Sequence, residues 1–388
     1  MSNISDQVTL ILTVSLIVIF SPFFAKIFKL PTTPIEIILG AYLAYVGFIH
    51  QEDLFDIVAK FGFLYLMFIA GTEINLKIVL KTPIKLMQMI SLYLLLLYGS
   101  AIAFSLYFSL GKIFIVLLPL ISVGLVATLS KEYGKTPWLV LSMTAGGIGE
   151  VISIATLTLV SAALEFGSGI GLFKTILALI LFLLFMVLLF RSLQLLFWWF
   201  PEVSTTLMPH DDNKEQDIRL SMGIFFILLA VMLYLHLELA FGAFLAGIFI
   251  PTFFEHKDGL PEKLSGYGFG FLIPIFFIHI GSTFKFEALF INGLIVQALV
   301  ITFIMIAMRL VSSLVFIKEV GFKHSILMGL SHSMPLSLLI AMATLAYTSK
   351  GIDEFNYFAL ILAALFQVLF VMLIIKIINL KVKEKVTT

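Results

Sequence analysis

Two ionisable side chains stand where the surrounding sequence leaves them no water. Glu150 follows Ala145-Gly146-Gly147-Ile148-Gly149 near the middle of an apolar stretch over 138–162. Arg309 lies in Ile306-Ala307-Met308-Arg309-Leu310, well inside the stretch 289–316. A charge at mid-bilayer costs about 2.5–3.5 kcal/mol on insertion scales, so each such residue is a functional candidate by default. A buried carboxylate can carry a proton when neutral and a cation when ionised. A buried arginine keeps its charge at any relevant pH, so Arg309 can serve as a counter-charge and not as a second proton carrier. The bland alternative is a static Glu150–Arg309 pair that fixes helix packing.

Two further segments could supply oxygen ligands. Ser122-Val123-Gly124 and Ser333-Met334-Pro335 each place helix-breaking residues inside an apolar stretch. A broken membrane helix exposes carbonyls and dipole ends at mid-depth, where they can hold a small ion without extra charged side chains. Gly124 and Pro335 are the expected break points. Ser122 and backbone oxygens near Val123 are the expected remainder of a cation shell around Glu150. No resident metal and no cofactor are expected, because no ligand cluster and no cysteine occur on these stretches.

Other candidates read as structural. Glu36 and Glu73 fall at the ends of apolar stretches and suit interfacial anchoring, and Glu238 and His236 suit a solvated turn. His279 and His332 read as neutral, hydrogen-bonded histidines ahead of pH sensors or ligands. His210, Asp211, Asp212, Lys214 and Glu215 fall in the polar segment 201–216, which reads as a solvated linker ahead of a metal or pH-sensing cluster.

The elements that must position these groups are transmembrane helices. Of the 388 residues 61% are hydrophobic and 12% charged, with a mean hydropathy of +1.14. An ordinary globular chain carries about 25% charged residues. The apolar residues come in blocks of bilayer-crossing length without the alternation of barrel strands. Soluble enzymes, nucleic-acid binders and disordered chains are excluded, and a net charge of +1 offers no polyanion surface. No basic segment precedes the first block, so a cleavable signal peptide is not expected.

Thirteen spans are expected, at 8–29, 34–50, 54–73, 83–108, 113–131, 138–162, 171–198, 219–236, 239–252, 267–283, 289–316, 323–348 and 355–380. The stretch 239–252 is short for a full crossing. Alternating sides put 18 basic residues in loops on the C-terminal side and 5 on the other, with Arg309 inside a span. Lys- and Arg-rich loops face the cytoplasm, which places the N-terminus outside and the C-terminus inside. The chemistry and the charge bias fit a bacterial cytoplasmic membrane.

A weak internal repeat organises the spans. Gly40-Ala41-Tyr42-Leu43-Ala44 echoes Gly242-Ala243-Phe244-Leu245-Ala246, and Phe68-Ile69-Ala70-Gly71-Thr72 echoes Ile278-His279-Ile280-Gly281-Ser282. Both echoes are seven spans apart, and an odd offset inverts the second copy, as in many secondary transporters. The expected organisation is a first inverted repeat over 1–170, a linker helix and loop over 171–217, and a second repeat over 218–388. No soluble regulatory domain is expected. The fold class is an all-α polytopic membrane protein with about 13 helices, two of them discontinuous.

These residues resemble the monovalent cation:proton antiporter 2 family, the Kef/Nap-type Na⁺/H⁺ or K⁺/H⁺ antiporters. Leu30-Pro31 with Glu36-Ile37-Ile38-Leu39-Gly40-Ala41 is similar to its first hairpin, and Phe68-Ile69-Ala70-Gly71-Thr72-Glu73 to its "F-x-A-G-x-E". Gly242-Ala243-Phe244-Leu245-Ala246-Gly247 resembles "G-A-F-x-A-G", and Ser122-Val123-Gly124 with Lys131-Glu132-Tyr133-Gly134 its unwound core helix. The resemblance implies a homodimer in the lipid bilayer, with a dimerisation domain and a core domain that moves like an elevator. It also implies transport of H⁺ against Na⁺ or K⁺.

Three positions depart from the family pattern. Gly149-Glu150 stands where Asp-Asp or Asn-Asp is usual, Arg309 where a lysine is often found, and Pro335-Leu336-Ser337 where an Arg-Gly-Glu-like stretch is usual. One carboxylate in place of two favours electroneutral 1:1 exchange, with Glu150 as the carrier. The rivals are a channel-like or other solute carrier on the same scaffold, and a non-transporting membrane sensor or structural protein. An intramembrane enzyme is disfavoured because no nucleophile–base pair is visible. No G-x-G-x-x-G follows a strand, so nucleotide is not an expected partner, and the near-neutral charge argues against nucleic acid.

Overall fold

Proline and glycine decide where these apolar helices start, cross and break. A computed structural model of the chain describes residues 4–386 apart from 29–30, 51, 75–80, 109, 112, 135, 167–168, 201, 203–214, 255–258 and 285–290. The acidic and basic residues of the expected linker, His210 to Lys214, lie outside the described residues, as do Lys29, Lys77, Lys112, Lys135, Lys257 and Lys285.

Helices fall on every one of the expected stretches. In chain order they are α1 (Ile4–Phe28), α2 (Thr32–Tyr45), α3 (Asp53–Thr72), α4 (Ile84–Tyr107), α5 (Phe114–Leu117), α6 (Gly124–Tyr133), α7 (Pro137–Phe166) and α8 (Ile170–Trp199). They continue as α9 (Gln216–Tyr234), α10 (Leu239–Phe253), α11 (Leu260–Tyr267), α12 (Ile273–Thr283), α13 (Leu294–Ser313), α14 (Ile317–Ser331), α15 (Leu336–Thr348) and α16 (Glu354–Val386). A π turn, Gly268–Leu272, joins α11 to α12 into one long span. Among the described residues nine spans are long and apolar enough to cross a bilayer whole, and α10 and α15 are shorter apolar helices. The most apolar window of α8 is only 11% buried within the protein, so its Leu and Phe side chains need lipid as their solvent.

The chain divides into two compact units. The first takes 1–76 and 166–289, and the second takes 77–165 and 290–388, so each draws on both halves of the sequence.

The first unit is built on two helix crossings in which backbone touches backbone. At the α2–α12 crossing, a methyl group on Gly40 would strike the carbonyl of Ile278, and one on Gly281 the carbonyl of Ile37. At the α3–α10 crossing, Gly71 faces the carbonyl of Phe244 and Gly247 that of Phe68 in the same way. Without a hydrophobic force between helices in lipid, such small-residue contacts are what let them associate. Gly247, and not Gly242, is the counterpart of Gly40 in these crossings, because Gly242 packs instead on Met232 and Leu228 of α9. Glu36, expected at the interface with headgroup water, is buried at 4% exposure and accepts a hydrogen bond from Ser21 Oγ on α1 (3.2 Å).

In the second unit α13 and α15 each pack on α16, with α4 and α14 against α13. Thr302 Oγ1 of α13 donates to the carbonyl of Ala363 on α16 (3.3 Å). Two spans of this unit are interrupted, between α5 and α6 and between α14 and α15.

Candidate functional site

The first interruption covers residues 118–123 and contains Pro119, which has no N–H to donate. A helix end leaves carbonyls and amides without intrahelical partners, and buried ones must find others. Here the two kinds are shared between two flanking helices. The amides go to α7. Val123 N–H donates to Glu150 Oε2 and Ser122 Oγ to Glu150 Oε1, both at 3.0 Å, and Ile121 N–H reaches Ser153 Oγ at 3.3 Å. The carbonyls go to α13. Arg309 Nη2 donates to the carbonyl of Leu118 (3.0 Å) and to that of Leu120, while Nη1 donates to Met305 O within its own helix (2.7 Å).

Glu150 and Arg309 are both fully buried. Among the described residues no ion pair joins them directly; both bind the broken segment between α5 and α6 instead. The guanidinium is turned to the carbonyl side of the break and the carboxylate to its amide side. The carboxylate also stands at the N-terminus of α6, where the helix dipole favours negative charge.

Gly124 is the first residue of α6, so the helix restarts at the expected break point. Val123 meets Glu150 through its amide. Gly149 faces the interruption. A methyl group there would lie 2.7 Å from Ile121 Cδ1 and 3.3 Å from Ile121 Cβ.

The second interruption, 332–335, begins with His332 and ends with Pro335, which precedes the first residue of α15. Pro335 O accepts the first amide bond of that helix, from Leu339 N–H (2.7 Å). Ser337 is half-buried in the first turn of α15. His332 is fully buried and bonded through both ring nitrogens, to Tyr93 Oη of α4 and to the carbonyl of Ser142 on α7, each at 2.9 Å. Ser331 Oγ reaches Ser142 Oγ at 3.2 Å. His279, in the other unit, has Nε2 2.6 Å from Asp56 Oδ1.

Sequence reasoning missed Ser153, Ser142, Tyr93 and the carbonyls of Leu118 and Leu120. A signal existed for two of them. Ser142, Gly146, Glu150 and Ser153 recur at helical spacing, which puts them on one face of α7. Nothing local marks Tyr93 or the two carbonyls.

The chemistry of the site suits a positive partner. Each carboxylate oxygen accepts one hydrogen bond and keeps acceptor capacity free, and a carboxylate flanked by a hydroxyl is a hard-oxygen site for an alkali cation. A proton on the same carboxylate would remove its charge and one acceptor position.

Two interrupted spans lie against one continuous helix, α7, which carries the buried acid, an arrangement suited to an integral membrane carrier. Residues 11–381 match the sodium/hydrogen exchanger transmembrane family, and the chain belongs to that family. Its sequence is 27% identical over 324 residues to the protein named "Probable Na(+)/H(+) antiporter 3" of Methanocaldococcus jannaschii, covering 79% of each chain. It is 25% identical over 248 residues to the Na(+)/H(+) antiporter NhaS4 of Synechocystis sp., covering 58% of this chain and 57% of that one. The fold matches the solved structure of the sodium proton antiporter MjNhaP1 from Methanocaldococcus jannaschii with a TM-score of 0.65 at 14% identity, over 97% of this chain and 99% of the other.

Proposed function

We propose that this protein is a secondary antiporter that exchanges a monovalent cation, Na⁺ or K⁺, for H⁺, with Glu150 as the group for which the two compete. The observation that carries the reading is the position of Glu150: fully buried, with one oxygen on a serine hydroxyl and the other on the amide that opens α6. Membership of the exchanger family and the antiporter names of its relatives support the same reading. Ser122 joins the cation shell. Arg309 acts as counter-charge through the broken segment, by holding its carbonyls and leaving its amides to the carboxylate.

One exchangeable carboxylate gives electroneutral 1:1 exchange by alternating access. The setting is a bacterial cytoplasmic membrane, with the N-terminus outside, the C-terminus inside, and the chain working as a homodimer of the Kef/Nap type. The spans form two inverted repeats, and the chemistry is transport and not bond-making catalysis. The test is exchange by purified protein in proteoliposomes at two membrane potentials, with Glu150→Gln alongside. Exchange by the wild type that ignores the potential and vanishes in Glu150→Gln is the expected result. Glu150→Gln activity near wild type removes Glu150 from the mechanism, and potential-driven turnover refutes the 1:1 ratio.

A further inference from the structure

His332 does nothing in the exchange described above, yet it is fully buried, bonded at both ring nitrogens, and next to the site. The carbonyl of Ser142 can only accept, so Nε2 carries the imidazole proton and donates it there. Nδ1 is then the acceptor, and Tyr93 O–H donates to it. A neutral histidine thus ties α4, α7 and the open end of α14 together.

The α7 face links that histidine to Glu150. Gly146 lies one turn beyond Ser142 and one turn before Glu150. A methyl group on Gly146 would sit 2.8 Å from Val123 Cγ1 and 3.1 Å from His332 Nε2. The histidine of one helix break and the valine of the other therefore flank the same bare position on α7. Val123 is also the residue whose amide holds Glu150.

We infer that His332 is a positioning residue for the cation site: with Tyr93 and Ser142 it forms the wall that keeps Val123, and so the α6 amide, against Glu150. This inference rests on the proposed exchange. Without the ring, the first break relaxes toward the vacated space and its amide leaves the carboxylate. The cation then binds less tightly, while the proton-carrying group itself is unchanged.

The test is the half-saturating Na⁺ concentration and the maximal rate of exchange in proteoliposomes, for wild type, His332→Ala, His332→Gln and Tyr93→Phe. His332→Ala should raise the half-saturating Na⁺ about tenfold, the effect of one hydrogen bond, and leave the maximal rate within about threefold. Tyr93→Phe should raise it about threefold by the same measure. His332→Gln, whose amide can still donate to the Ser142 carbonyl, should recover most of the loss. If His332→Ala does not fold, the Tyr93→Phe and His332→Gln values decide.

An unchanged half-saturating Na⁺ in the folded variants, with only a lower melting temperature, makes His332 a packing residue and overturns the inference while leaving the exchange intact. A His332→Gln protein as impaired as His332→Ala also overturns it. Wild-type protein that exchanges no cation overturns the proposed function and this inference together.

Discussion

Both units bring backbone close to backbone inside lipid, Gly329 of α14 facing the Arg309 carbonyl in the second as glycines do in the first, but only the second also breaks its helices. In the first unit the helices stay whole and the side chains are deleted: Gly40 with Gly281, and Gly71 with Gly247, bring intact helices into contact. In the second unit two spans are interrupted, and the amides and carbonyls freed at the first break are answered by Glu150, Ser153 and Arg309. A glycine crossing leaves no polar group unsatisfied and so offers nothing to a cation. A break leaves groups that must be answered, and an answer made with a titratable carboxylate can be withdrawn and replaced. The difference separates scaffold from site.

The comparison can be broken most forcefully at a crossing. Gly247→Leu drives a side chain into the Phe68 carbonyl, where no flexible neighbour can give way, and should cost about 3 kcal/mol or more. Fluorescence-detected size exclusion and thermal melting in detergent should then find little folded protein. A Gly247→Leu protein with wild-type melting would mean the crossing is not a tight one.

Arg309→Ala leaves the carbonyls of Leu118 and Leu120 buried and unanswered and should cost about 3 kcal/mol, read as a lowered melting temperature. In contrast to Gly247→Leu, any folded Arg309→Ala protein should also lose cation affinity, because the break it orders carries Val123 and Ser122. Loss of stability with untouched affinity would place Arg309 with the scaffold.

Ser122→Ala removes one hydrogen bond to a charged group, about 1.5 kcal/mol, and should raise the half-saturating cation concentration about tenfold with melting nearly unchanged. Smallest of all is Lys85→Ala. Its pairing with Glu319 at 2.5 Å ties α4 to α14 at an exposed position, where such pairs contribute about 0.5 kcal/mol. Melting and exchange should both stay close to wild type.

Much of this was legible in the sequence because membrane burial is expensive. Glu150, Arg309, Gly124 and Pro335 stood out as residues that lipid would not tolerate without cause, and the spans followed from length and hydropathy. What could not be read were partners supplied by distant helices. Arg309 was read as a partner for Glu150 because opposite charges attract; the preference of a guanidinium for several carbonyls of a broken segment depends on where that segment runs. Glu36 was placed near water by its position at a span end, and the Ser21 hydroxyl that buries it comes from another helix. The echo of Gly40 in Gly242 was a match of letters, whereas the crossings pair Gly40 with the role of Gly247, a distinction only packing can make.

The most direct measurement of the central claim is proton release on cation addition, followed with a pH indicator in weakly buffered, detergent-purified protein. If one carboxylate serves both partners, saturating Na⁺ or K⁺ should release up to one proton per chain at pH values where Glu150 starts protonated, and Glu150→Gln should release none. Cation binding without proton release across the pH range, or release undiminished in Glu150→Gln, would contradict it.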